Sequence, residues 1–229
     1  MVTLPKAITF DCYGTLIDWE NAIQRFFAES LDSKAIGYVD PRTLQEEWEE
    51  IQFRYIQEQY RPYRQVLHDT MKMVFDKYHI PSDEEEVEEF ADSMGHWQPF
   101  PDTKDALIEL QKYVKVVLIT NTDNDIIAET ERTIGVKFDD IITAEQAGAY
   151  KPNHEGFLLA RKRLGLKVSE IWHAGFGFKY DIVPAKKLGY TTVWVNRQGN
   201  ARPGRVRETF LVGDMRTLAY LIKGIAASG

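Results

Sequence analysis

The stretch Ala7-Ile8-Thr9-Phe10-Asp11-Cys12-Tyr13-Gly14-Thr15 decides how the rest of the chain is read. A short, largely apolar run has the character of a buried strand, and a glycine close behind it marks a sharp turn at the strand's carboxyl end. Asp11 therefore stands at the exit of an apolar strand. A carboxylate in such a place is costly unless it is paired or used. In open parallel sheets the carboxyl ends of the strands are where ligands bind, so Asp11 is the first candidate for chemistry.

Residues 17–96, immediately downstream, carry no strand pattern and read as successive helices. Trp19, Ile23, Phe26 and Phe27 recur on one helical face. Asp40-Pro41 supplies the acceptor and the proline of a helix start. Leu44, Trp48, Ile51, Tyr55 and Tyr60 carry that helix to about Tyr60, and Pro62 should end or kink it. Val66, Met73 and Val74 belong to a third helix. Ser82 and Glu85 have the spacing of a capping box for a fourth, whose acidic run 83–89 reads as a solvated face. Beyond Pro99 helices alternate with strands at 114–119, 140–143, 171–174, 191–195 and 210–212. That alternation predicts an α/β fold, a Rossmann-like doubly wound parallel sheet. The core is expected to comprise residues 1–16 and 97–229, with residues 17–96 as a helical cap inserted after the first strand.

Composition narrows the function classes. The 229 residues include 35 acids and 28 bases, a formal charge of −7, which argues against a general nucleic-acid binder. The charge is uneven: residues 17–96 hold 19 acids and 8 bases, and the remainder 16 acids and 20 bases. No apolar run approaches the roughly 18 residues of a membrane span, and residues 1–6 lack the regions of a signal peptide. The single cysteine, Cys12, excludes an intrachain disulfide and a cysteine-based zinc cluster, and the five histidines show no metal spacing. The expectation is a soluble, cytoplasmic protein without nucleic-acid or membrane partners.

The residues at or just beyond the strand ends are Asp11, Thr120 with Asn121, Lys151, and Asp181. They should converge on one crevice as two acids, a hydroxyl–amide pair and a cation. A carboxylate held beside positive charge can act as a nucleophile. Lys151 would keep Asp11 ionised, and the backbone amides around 13–15 would suit an anion. Asp181 would accept a proton from water or position Lys151.

These residues also carry a resemblance. Phe10-Asp11-Cys12-Tyr13-Gly14-Thr15-Leu16, Leu118-Ile119-Thr120-Asn121, Tyr150-Lys151-Pro152, and His173-Ala174-Gly175 leading to Asp181 resemble, in order, the four motifs of the haloacid dehalogenase superfamily. Phosphatase members carry an acid two residues after the nucleophile and an acidic cluster in the fourth motif that helps to hold magnesium. Here those positions are Tyr13 and Phe176, too few hard oxygen ligands for magnesium. Asp followed two residues later by Tyr resembles instead the type II (S)-2-haloacid dehalogenases, which need no metal.

That resemblance implies a small 2-haloacid substrate, no cofactor, and catalytic roles for Asp11 as nucleophile, Thr15, Thr120, Asn121, Lys151 and Asp181. It implies Cys12, Tyr13, Trp19, Phe176 and Phe178 around the substrate, although Cys12 also reads as a small buried filler and Trp19 as packing within the helices. Related enzymes are often dimers, which leaves a homodimer open. Three positions depart from the pattern. Glu49 stands where family members use an arginine for the substrate carboxylate, with Arg42 or Arg54 as candidate substitutes. Phe157 replaces a tyrosine, and residues 175–180 are aromatic and glycine-rich. A phosphohydrolase and a non-catalytic binder of a small acid are the alternative readings.

Overall fold

The computed structural model describes residues 3–228; residues 1, 2 and 229, which the expected core includes, lie outside the described residues. In chain order the elements are β1 (Ala7–Phe10), α1 (Trp19–Ser33), α2 (Pro41–Glu58), α3 (Tyr63–Lys77), α4 (Glu84–Ser93), α5 (Thr103–Leu110), β2 (Lys115–Thr120), α6 (Asn124–Ile134) and β3 (Asp140–Thr143). There follow α7 (Ala144–Ala147), α8 (Glu155–Leu164), β4 (Ile171–Gly175), α9 (Val183–Lys187), β5 (Thr191–Val195), β6 (Phe210–Val212) and α10 (Met215–Ala227).

The six strands form one parallel sheet in the order β3-β2-β1-β4-β5-β6. All four residues of β1 are buried, as a central strand covered on both faces requires. Period-two alternation divides β2 between two cores. Val116 and Leu118 join the cluster that holds Leu107 of α5 and Leu218 of α10. Val117 and Ile119 join Phe157 and Ala160 of α8 on the opposite face. Register fixes the functional edge: Phe10 lies opposite Leu118 on one side and Ala174 on the other, so Asp11, Asn121 and Phe176 leave the sheet at the same end.

Helices α1 to α4 form the insertion between β1 and β2. Their core is aromatic, with Phe27 against Phe75 and Phe90, and Trp48 edge-on to Phe90. Several contacts tie them to the rest of the chain, among them hydrogen bonds of Asp123 and Tyr150. The Asp123 carboxylate accepts the Tyr63 and Arg64 N–H groups at 2.8 and 2.9 Å, capping α3 from across the interface. The Tyr150 hydroxyl donates to the Arg61 carbonyl at 2.6 Å.

Local details differ from the sequence reading. The cap of α4 is Asp83, which accepts the Glu86 N–H at 2.9 Å, so the Ser82–Glu85 box is displaced by one residue. A charged acceptor at the positive end of the helix is the better cap. Met73 faces solvent, and α2 stops at Glu58, just before Pro62. No helix among the described residues is long and apolar enough to cross a membrane.

Candidate active site

Asp11 leaves β1 with its N–H donated to the Ala174 carbonyl at 3.0 Å. The chain then turns back on itself. The N–H groups of Leu16 and Ile17 bond the Cys12 carbonyl, and Gly14 adopts φ of +94°, where a side chain would also strike Phe176 and Trp19. The turn presents Thr15, whose hydroxyl donates to Asp11 Oδ2 at 2.7 Å and accepts the Phe176 N–H at 2.8 Å. Arg197, which pairs with Asp102, donates two hydrogen bonds to the Thr15 carbonyl and fixes the turn from behind.

Lys151 lies at the centre. Its ammonium donates to Asp11 Oδ1 at 2.8 Å and to Asp181 Oδ1 at 2.7 Å, and all three side chains are buried. The Asn121 amide grips the Lys151 backbone at both ends: Oδ1 accepts its N–H at 2.7 Å and Nδ2 donates to its carbonyl at 3.0 Å. Asp181 sits in a wide single turn, Phe178–Ile182, where its Oδ2 accepts the Gly177 N–H at 3.1 Å. His173 Nε2 lies 3.3 Å from Asp181 Oδ1, and its Nδ1 lies 2.9 Å from the Thr9 hydroxyl.

The electrostatics follow from burial. Desolvation, then the charge of Asp181, push the Asp11 carboxyl from 3.8 to about 6 against the pull of Lys151 and Thr15. Burial also raises Asp181, but Lys151 and His173 outweigh it and hold that carboxyl below its ordinary value. Burial works against the Lys151 charge, and the two carboxylates overcome it. Burial pushes His173 down, favouring the neutral ring. A neutral His173 donates Nε2–H to Asp181 when the Thr9 hydroxyl donates to Nδ1.

These groups open on a cavity of about 80 Å³. Asp11, Tyr13, Asn121, Lys151, Phe176 and Asp181 line it from the sheet side. Trp19, Trp48, Glu49, Gln52 and Tyr63 line it from α1, α2 and α3, and Trp97 from the segment between α4 and α5. The structure thus brings together most of the residues singled out in the sequence.

Three placements differ. Cys12 is fully buried in the core cluster, because the residue after Asp11 points the opposite way along an extended chain. Phe178 packs on Trp194 and Ile182, away from the cavity. Thr120 is buried beside the site, its hydroxyl has no partner among the described residues, and it does not line the cavity. Tyr13 does line it, with its hydroxyl anchored 2.9 Å from that of Thr130. Arg42 pairs with Glu46 on the outer surface and Arg54 bonds the Glu50 carbonyl, so neither reaches the cavity. Sequence reading missed Gln52, Tyr63, Trp97 and Tyr180 of the cavity wall and the Arg197 clamp. Their only signal was position on a helical apolar face or a loop.

A model of haloacid dehalogenase-like hydrolases matches residues 5–189. The chain belongs to that family. Among its relatives is (S)-2-haloacid dehalogenase 4A of Burkholderia cepacia, 25% identical over 205 residues and covering 87% of each chain. A glyceraldehyde 3-phosphate phosphatase of Methanocaldococcus jannaschii is 41% identical, but over 100 residues covering 42% of this chain and 43% of its own. The crystal structure of the L-2-haloacid dehalogenase RSc1362 superposes with a TM-score of 0.88 at 19% identity, covering 96% of this chain and all of its own. The L-2-haloacid dehalogenase of Xanthobacter autotrophicus with covalently bound chloropropionic acid does so at 0.80 and 21%, covering 96% and 99%. This chain is a hydrolase of the same family and fold.

In this hydrolase Gly175 leaves Asp181 the room it needs. A Cβ on Gly175 would lie 2.7 Å from Asp181 Cβ, Cγ and Oδ2. Gly175→Ala is expected to lower kcat/KM at least roughly tenfold and to cost about 1–3 kcal/mol of stability, as overpacking does. Steady-state rates and a denaturant midpoint check both effects.

Proposed function

We propose that this hydrolase cleaves the carbon–halogen bond of a small 2-haloacid, giving a 2-hydroxyacid and halide through an ester on Asp11. The observation that carries the reading is the Asp11–Lys151–Asp181 bridge at the floor of a small, largely aromatic cavity. An Asp11 oxygen attacks the α-carbon as the halide departs, with the aromatic walls excluding water during displacement. Water then attacks the Asp11 carbonyl carbon, Asp181 takes its proton, and the hydroxyl product leaves with an oxygen from Asp11. Thr15 and Lys151 orient the nucleophile through its two oxygens, and Asn121 holds Lys151 in place.

The donor set supports a reaction without magnesium. Asp11 and Asp181 are both engaged by one ammonium, Tyr13 and Phe176 add no carboxylate, and no cluster of three ligating side chains occurs among the described residues. The partial likeness to a phosphatase keeps a phosphohydrolase as the second reading. The two separate in one assay. Halide release from 2-chloropropanoate or chloroacetamide with a chelator present supports dehalogenation; magnesium-dependent phosphate release with no halide release overturns it.

The pH profile has a definite sign. The nucleophile must be ionised, and Asp11 titrates at about 6. The rate kcat/KM is expected to fall as pH drops through about 6, with the limb belonging to the coupled Asp11–Asp181 pair. A profile flat from pH 7 to about pH 4.5 would contradict the role of Asp11.

A further inference from the structure

The cavity wall opposite the nucleophile carries a carboxylate in place of a free cation. Glu49 lines the cavity from α2, and it makes neither an ion pair nor a hydrogen bond among the described residues. The one cationic side chain lining the cavity, Lys151, is already shared by Asp11 and Asp181. Burial, and after it the charges of Glu49 and Asp18, raise the carboxyl of Glu20 on α1 to about 7 against the pull of Arg42. Lys179 lies 3.7 Å from Glu50 and over the Phe53 ring outside the cavity; burial raises the Glu49 carboxyl and the Lys179 charge opposes that rise without pairing with it.

Beside Glu49 the Tyr63 hydroxyl accepts from the Gln52 amide at 3.1 Å, and its own proton has no acceptor among the described residues. The wall therefore sets a hydrogen-bond donor, Tyr63, together with an acceptor, Glu49. A free carboxylate presents acceptors alone and would set an oxygen and a negative charge against Glu49. A carboxamide presents a carbonyl for Tyr63 and an N–H for Glu49.

We infer that Glu49 and Tyr63 select a 2-haloacid derivative whose acyl group is uncharged, a 2-halocarboxamide, over the free 2-haloacid anion. The inference rests on the proposed dehalogenation and names the substrate form that this site takes. The reaction balances without a further reagent. The Asp11 oxygen forms a bond to the α-carbon as the halide leaves with the bonding pair. Water then cleaves the ester, releasing the 2-hydroxyamide and one proton.

The test compares chloroacetamide with chloroacetate, and 2-chloropropanamide with 2-chloropropanoate, by halide release. It uses wild type, Glu49→Gln and Glu49→Arg at about pH 8. Wild type is expected to favour each amide at least roughly tenfold in kcat/KM, because the discrimination is that of one mispaired charge. Glu49→Gln should shrink the preference and Glu49→Arg should reverse it, chiefly through KM for the acid. A ratio between the two substrates is unaffected by a general loss of folded enzyme. Wild type that turns over the acid as well as the amide, or variants with an unchanged ratio, would overturn the selection while leaving dehalogenation intact. Halide release from neither substrate would overturn dehalogenation and the selection with it.

Discussion

Asp11→Asn is expected to lower turnover by roughly 10⁴-fold or more while leaving the fold intact, the pattern of a removed nucleophile. Asparagine keeps the shape and an oxygen for the Lys151 ammonium, which retains its second partner, Asp181. The variant should also melt no lower than wild type at neutral pH, and the sign follows from linkage. The Asp11 carboxyl titrates at about 6 in the folded protein against 3.8 for the free group. Ionising it therefore costs the folded state on the order of 3 kcal/mol. That cost builds as pH rises from about 4 to about 6 and is complete above, and asparagine does not incur it. Loss of activity together with marked destabilisation would point to a structural role for Asp11. Halide release at near wild-type rates would exclude it as the nucleophile.

Lys151→Met should cost both activity and stability. The substitution keeps an apolar stem and deletes the charge that two buried carboxylates share. Breaking a buried ion pair from one side costs about 3–5 kcal/mol. The relief is pH-dependent: without the ammonium the carboxylates bind a proton more tightly, so the destabilisation is greatest at neutral and higher pH and shrinks as pH falls. The acid limb of kcat/KM should move upward by about one unit or more, and the rate at pH 7 should fall by roughly 10²–10³. Paired measurements of denaturation midpoint and pH–rate profile decide it. An unmoved limb would mean that Lys151 does not set the ionisation of Asp11.

The order in which these groups occur along the chain made the sheet side of the site legible. An acid closing an apolar strand, a hydroxyl–amide pair closing the next, then a lysine and a second acid, all map onto one edge once the strands are parallel. The wall contributed by the helices was far less legible. Helical periodicity places Trp19 and Trp48 on apolar faces. It does not separate packing within α1 to α4 from a position over the nucleophile, and Trp48 serves both, edge-on to Phe90 and lining the cavity. Cys12 and Phe178 fail for a related reason: proximity in sequence to Asp11 and Asp181 says nothing about which way each side chain points. Arg197 was invisible because it acts through the Thr15 carbonyl from 182 residues away.

Charge also acquires a location. The acidic excess of residues 17–96 includes Glu20 and Glu49 close to the cavity, while the one cation lining it is committed to Asp11 and Asp181. Those facts bear on which substrate enters. The Asp11–Lys151–Asp181 bridge bears on what happens to it.

The most direct test of the central claim follows one oxygen atom. Enzyme in molar excess over a 2-chloro substrate is allowed a single turnover in heavy-oxygen water, and the product and the peptide containing Asp11 are weighed by mass spectrometry. The ester route predicts product with ordinary oxygen in its new hydroxyl and heavy oxygen in the Asp11 carboxylate. Heavy oxygen in the hydroxyl, with Asp11 unlabelled, would mean that water displaces the halide directly, and Asp11 would not be the nucleophile.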